Sequence, residues 1–258
     1  MSNQTALITG ATGGLGQEFV RIFGQNGVNL VLVGRNPRKL QALQDSTEQR
    51  YGVKVNTIAV DFTDNQAAEI IYNETKQLGQ QVDYLVNNAG LGGQGTFLDR
   101  TMEQDINMAK VNMIVPTKLM KLFLPEMINR NSGRILNVSS SAAMIPVPLQ
   151  AEYYATKAYF TSLSNAIWYE IKDTNVTITT LMPGAMATDF AKAGGLTDTK
   201  MFANGVSPKK VAEEGYEAML KGKMNVFAGL PGWQRPFVGM MPKKAVMGFV
   251  ADQQSTNN

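Results

Sequence analysis

Short apolar runs alternate with amphipathic stretches along most of this chain. Thr5–Thr9, Val28–Val33, Val53–Val60, Val82–Val86, Arg134–Val138 and Val176–Leu181 are five to eight residues long and mostly apolar. Runs of that length predict strands covered on both faces. Between them lie stretches of helical period: Gln17–Gly27, Pro37–Tyr51, Gln66–Leu78, Met102–Asn129, Ala151–Asp173 and Pro208–Gly222. Pro37 stands at a first helical turn, where its missing N–H costs nothing. Asn225–Ala228 reads as a short last strand. Strand and helix alternating over short links predict an α/β fold: a doubly wound, parallel, seven-stranded sheet between two helix layers.

Composition narrows the chemistry. The chain has 258 residues, 44% hydrophobic and 17% charged, enough for one large core. Net charge is +3 and unclustered, so nucleic-acid binding is not expected. There are no cysteines and no histidines. That excludes disulfides, thiolate zinc sites and a Ser-His-Asp hydrolase, and no metal site is expected. Acid–base work must fall to Tyr, Lys, Asp or Glu. No run of about 18 apolar residues is present, so no membrane-spanning helix is expected. The opening MSNQTALITG lacks the pattern of a signal peptide, and the expected location is cytoplasmic.

The first strand is followed by Gly10-Ala11-Thr12-Gly13-Gly14-Leu15-Gly16 and then a helix. Glycines there let the backbone approach a pyrophosphate, whose charge the helix N-terminus stabilises. The second strand ends Gly34-Arg35-Asn36, with Arg38 behind it and no carboxylate. A guanidinium binds a ribose 2′-phosphate that a carboxylate would repel, which favours NADP over NAD. Asp61, after the third strand, either accepts from an adenine amino group or caps the next helix. By the crevice rule, ligand lies at the carboxyl ends of the strands.

Tyr153 and Lys157 stand one helical turn apart, on one face. An ammonium beside a phenol favours the ionised form and makes tyrosine a usable proton carrier. Ser140, thirteen positions before Tyr153, can hydrogen-bond the oxygen that Tyr153 addresses. Asn112 falls mid-helix, against its propensity, which points to a use.

Thr9-Gly10-x-x-x-Gly14-x-Gly16, Asn87-Asn88-Ala89-Gly90, Asn112, Ser140, Tyr153-x-x-x-Lys157 and Pro183-Gly184-x-x-x-Thr188 occur in order over about residues 5–230. Together they resemble the classical short-chain dehydrogenases/reductases. The resemblance implies a Rossmann fold of αβα layers and a tetrad of Asn112, Ser140, Tyr153 and Lys157. Tyr153 would be the acid in carbonyl reduction and the base in alcohol oxidation. Lys157 would lower its pKa and hold ribose hydroxyls, Ser140 would polarise the carbonyl, and Asn112 would hold a helix kink and a water. NADP would lie along Gly10, Thr12, Gly14, Leu15, Gly16, Arg35, Asp61, Phe62, Asn88, Ala89, Gly90, Tyr153, Lys157, Pro183, Gly184, Met186 and Thr188. Ala143 replaces the glycine that often follows the catalytic serine by three positions, and Ser139 and Ser141 flank Ser140.

The expected activity is hydride transfer between NADPH and a carbonyl/alcohol pair on an uncharged or hydrophobic small molecule. The competing reading is a non-catalytic NADP-binding redox sensor. The whole chain, 1–258, reads as one domain, with 185–222 a substrate lid and 230–258 a C-terminal cover. Gly90–Gly95 reads as a mobile loop. The stretch Trp233–Val250 could instead lie at a membrane interface, but Pro236 and Pro242 interrupt it. The resemblance further implies a homodimer or homotetramer through the two long central helices.

Overall fold

A computed structural model of the chain describes residues 4–186, 190, 194–195, 205–229, 247–248 and 250. Seven strands form one sheet in the order β3-β2-β1-β4-β5-β6-β7, every neighbouring pair parallel. They are β1 Thr5–Thr9, β2 Asn29–Gly34, β3 Val55–Ala59, β4 Tyr84–Asn87, β5 Gly133–Val138, β6 Val176–Pro183 and β7 Asn225–Ala228. The helices are α1 Gly14–Gln25, α2 Pro37–Tyr51, α3 Ala67–Gln77, α4 Met102–Ala109, α5 Val115–Asn129, α6 Ala151–Glu170 and α7 Pro208–Leu220. Each expected element is present, with ends moved by a few residues. At α1 the glycine turn supplies the first helical turn, three residues ahead of the amphipathic pattern, and α6 ends three residues early, at Glu170.

Alternate side chains of each strand enter different cores. Ala6, Ile8, Leu30 and Leu32 pack with Phe19 and Phe23 of α1, Leu40 of α2 and Val211 of α7. Leu7, Val31, Val33 and Ile135 pack with Ile71 of α3, Leu119 and Phe123 of α5 and Phe160 of α6. The sheet is therefore the middle of three layers. Strand order reverses between β1 and β4, and there the turn after β1 and the Asn88–Gly90 segment after β4 open a crevice.

The single helix expected over Met102–Asn129 is three pieces, because residues Lys110–Ile114 form a π-turn. Pro116 has no N–H to give the Asn112 carbonyl four residues back. Nearby, the Val115 N–H donates to Lys110, five residues back. The slipped register brings buried Asn112 to face the end of β4 and α6.

Candidate active site

The site begins with close contacts that only glycine permits. A Cβ on Gly16 would stand 2.2 Å from the Gly10 carbonyl oxygen, so α1 packs against the strand end as no other residue allows. Gly10 has φ +64°, and its Cβ would sit 2.9 Å from Ala89 Cα. Asn88 fastens this turn to β4: its Nδ2 donates to the Thr9 and Gly10 carbonyls at 2.9 and 3.2 Å. The Thr9 hydroxyl accepts from the Asn88 and Ala89 N–H groups at 2.9 and 3.0 Å. Thr9 was missed as a site residue, because a threonine inside an apolar strand reads as ordinary core.

The resulting cleft has a volume of about 510 Å³, within the range of ligand pockets. Gly10, Thr12, Gly14, Leu15, Gly16, Arg35, Asp61, Phe62, Asn88, Ala89, Gly90, Ser140, Tyr153, Lys157, Pro183, Gly184 and Met186 all line it. Thr188 with the rest of 187–189, residues 191–193 and 196–204 of the expected lid, and all of the cover expected over 230–258 except 247–248 and 250, fall outside the described residues, while 208–220 of the expected lid is α7. Asn112 stands behind the wall. Its Oδ1 accepts from Leu91 N at 2.8 Å, and its Nδ2 donates to Leu91 O at 2.9 Å and to Thr156 Oγ1 at 3.1 Å. Thr156 in turn donates to the Tyr153 carbonyl at 2.7 Å. A shallower concavity between the ends of α3 and α5, lined by Lys76, Gln80, Glu126 and Arg130, holds its Lys76 and Glu126 already paired.

Burial governs the central pair. Lys157 is 4% exposed, its Nζ donates to Val138 O at 3.0 Å, and it lies 5.8 Å from the centre of the Tyr153 ring. Desolvation pulls the lysine down to about 8. It also pushes the Tyr153 phenol up to about 12, with a hydrogen bond to Ser140 pulling the other way. For these residues alone burial sets the direction at Tyr153, and the lowering by Lys157 that the resemblance implies is not among the causes that move it. Of the three serines, Ser139 is spoken for, bonded to Lys157 O at 3.1 Å and Thr161 Oγ1 at 2.6 Å. Ser140 keeps its hydroxyl in the cleft, accepting from Ala142 N at 3.1 Å.

At the other end, Arg35 and Lys39 are exposed on the cleft rim. Asp61 accepts from Thr63 N and Thr63 Oγ1, both at 2.9 Å. The Thr63 N–H holds its carboxyl below the ordinary range against partial burial, helped by the Thr63 hydroxyl and the Arg35 charge. It caps neither end of α3, which begins at Ala67; it closes a local turn. Of the two cations that follow Arg35 in sequence, the structure places Lys39 and not the expected Arg38 in the cleft lining, a choice set by the turn of α2. Phe190 and Val250, from the stretches read above as lid and cover, also line the cleft.

The loop Gly90–Gly95 is better braced than its glycines suggested. Gly95 N donates to Leu149 O at 2.9 Å, and Gln94 N to Gly194 O at 3.1 Å. The side chains of Phe190 and Arg100 occupy the space beside Gly92 and Gly93, and Arg100 is paired with Asp105 at 2.6 Å.

The α1 N-terminus at this cleft has no side-chain cap and no acidic residue in its first turn. Its free N–H groups suit a pyrophosphate. A proton-carrying tyrosine beside a buried lysine, at a topological switch point, defines a nicotinamide-dependent oxidoreductase acting on the CH–OH/C=O pair. The chain belongs to the short-chain dehydrogenase/reductase family: the family model described as short chain dehydrogenase matches residues 4–198. It is 30% identical over 259 residues to the very-long-chain 3-oxoacyl-CoA reductase of Mus musculus, covering 95% of this chain and 78% of that protein. It is 31% identical over 243 residues to dehydrogenase/reductase SDR family member 7B of Bos taurus, covering 89% and 74%. Among solved structures it resembles a short-chain dehydrogenase from Sphingobium yanoikuyae in complex with NADPH, with TM-score 0.85, 23% identity and coverage of 99% and 98%. A Burkholderia phymatum member of the family in complex with NAD gives TM-score 0.82, 19% identity and the same coverage.

Proposed function

We propose that the protein is an NADP-dependent carbonyl reductase or alcohol dehydrogenase for an uncharged, apolar substrate. The observation that carries this is the Tyr153 phenol beside Ser140, with the Lys157 ammonium 5.8 Å from its ring, in a cleft whose substrate half offers no charged side chain but Lys157 among the described residues.

The cofactor's pyrophosphate would rest on the uncapped start of α1. Arg35 and Lys39 would hold a 2′-phosphate, and Lys157 the nicotinamide ribose. When bound, the reduced nicotinamide supplies the hydride. Ser140 and Tyr153 fix the carbonyl oxygen by hydrogen bonds, which places the carbon for attack. Tyr153, protonated at any pH below about 12, releases its proton to that oxygen as charge develops there. The buried cation of Lys157 stabilises the phenolate left behind until solvent returns the proton. In oxidation the same steps run backwards.

Supporting NADP over NAD is the pair of cations, with no carboxylate, at the end of β2. The names of the 3-oxoacyl-CoA reductase relatives support a ketone on an apolar acyl chain, although the CoA of such a substrate is itself charged. Helix positions that leave Ile106, Ile114, Tyr159 and Tyr169 exposed support association of copies through α4–α6. The test is oxidation of NADPH and of NADH across a carbonyl panel that includes a 3-oxoacyl thioester. Wild type should prefer NADPH at least tenfold, R35A with K39A should erase the preference, and Y153F should bind NADPH but turn nothing over. A Y153F protein with undiminished output in a cellular assay would favour the sensor instead. Equal use of both nucleotides by wild type would remove the NADP assignment.

A further inference from the structure

The substrate half of the cleft is built around one aromatic contact. The Phe190 ring lies 5.6 Å from the Tyr153 ring, centre to centre, tilted by 51°. On its other side it fills the place a side chain at position 92 would take: a Cβ on Gly92 would meet Phe190 Cζ at 2.6 Å. Two backbone bonds hold the seat. Gly194 N donates to Phe190 O at 3.0 Å, and Gln94 N donates to Gly194 O at 3.1 Å. The residue at 190 is thereby tied to the loop after β4, and the glycine at 92 is there to receive a ring. Ile145 comes from the loop after β5 and Tyr154 from the first turn of α6, and Val250 packs with them and with Tyr153. A carbonyl held at Tyr153 has two substituents, and Phe190, Ile145, Tyr154 and Val250 give them apolar walls beside the polar Ser140, Gln150 and Lys157.

We propose that Phe190, seated on Gly92 and lying against Tyr153, is the size filter of the substrate pocket. It passes ketones with a slim substituent on its side and rejects those with two broad ones. The proposal rests on the oxidoreductase reading above. Its physical basis is simple: a close-packed ring beside the reacting oxygen gives way poorly, and steric discrimination in an apolar pocket runs to about 10–200-fold. Removing the ring should lift that discrimination. Adding a methyl at position 92 should push the ring onto the substrate's space, and should matter little once the ring is gone.

The experiment is a double-mutant cycle of G92A and F190A. NADPH turnover is measured with an alkyl methyl ketone, an aryl methyl ketone and a diaryl ketone, and NADPH binding is measured by fluorescence. In F190A the kcat/KM ratio of diaryl to alkyl methyl ketone should rise at least tenfold, with NADPH affinity within about twofold of wild type. G92A alone should lower kcat/KM at least tenfold, and in the F190A background by less than threefold. An unchanged substrate ratio in F190A, or G92A and F190A effects that simply multiply, overturns the filter while leaving the oxidoreductase reading intact. A wild-type protein that binds NADPH but reduces no carbonyl in the panel overturns both.

Discussion

Lys157 makes a claim about stability that can be separated from its chemistry. Its ammonium is buried, with one carbonyl partner, Val138 O at 3.0 Å. Desolvation takes it from 10.5 to about 8. At about 1.4 kcal/mol for each tenfold, holding the charge there costs about 3 kcal/mol at pH 7. Met in its place fills similar space without charge but leaves Val138 O unpaired, which costs about 1 kcal/mol. Lys157→Met should therefore be inactive yet more stable by about 2 kcal/mol at pH 7, raising Tm by roughly 4–8 °C. Between pH 8 and 10.5 the unfolded chain keeps a proton that the folded chain has released. Wild-type stability therefore gains from Lys157 as pH rises, and the gap between the proteins should close. Urea unfolding of both at pH 7, 8.5 and 10 reads this directly. A Met variant no more stable than wild type at pH 7, or a gap that does not change with pH, would show that the lysine's burial is not the cost argued here.

Asn112→Ala removes both bonds to the Leu91 backbone and the one to Thr156. The unpaired Leu91 groups should cost about 2–3 kcal/mol in urea unfolding, with activity falling alongside. An Asn112→Ala protein of wild-type stability would mean that water replaces the side chain without loss. Gly16→Ala puts a methyl 2.2 Å from the Gly10 carbonyl, so α1 must back away from β1. NADPH affinity should drop at least a hundredfold by fluorescence titration, and unchanged affinity would place the pyrophosphate elsewhere. Dilute protein run through light scattering should weigh at least two chains, and Ile106→Glu with Tyr159→Glu should shift it toward one. A wild-type monomer would remove the helix-face association.

Residues near one another in sequence announced their roles early. Tyr153 and Lys157 share a helix face whatever the fold around them, and a glycine turn between strand and helix points to a phosphate in any α/β chain. Short, mostly apolar runs marked six of the seven strands, because a strand covered on both faces is apolar on both, and Asn225–Ala228 reads as the short last one. The lack of histidine left proton transfer to Tyr, Lys, Asp or Glu. What needed the folded chain is whatever depends on distance through space or on burial. Spacing to Tyr153 singled out Ser140, but that Ser139 is held by Thr161 needed the folded chain. The sign of the Tyr153 shift turned on desolvation, which a helical spacing does not contain. The glycines of Gly92–Gly95 read as freedom and proved to be room for Phe190 and Arg100. Phe190 and Val250 reach Tyr153 and Tyr154 from chain far along the sequence, so only tertiary packing could decide what surrounds the substrate.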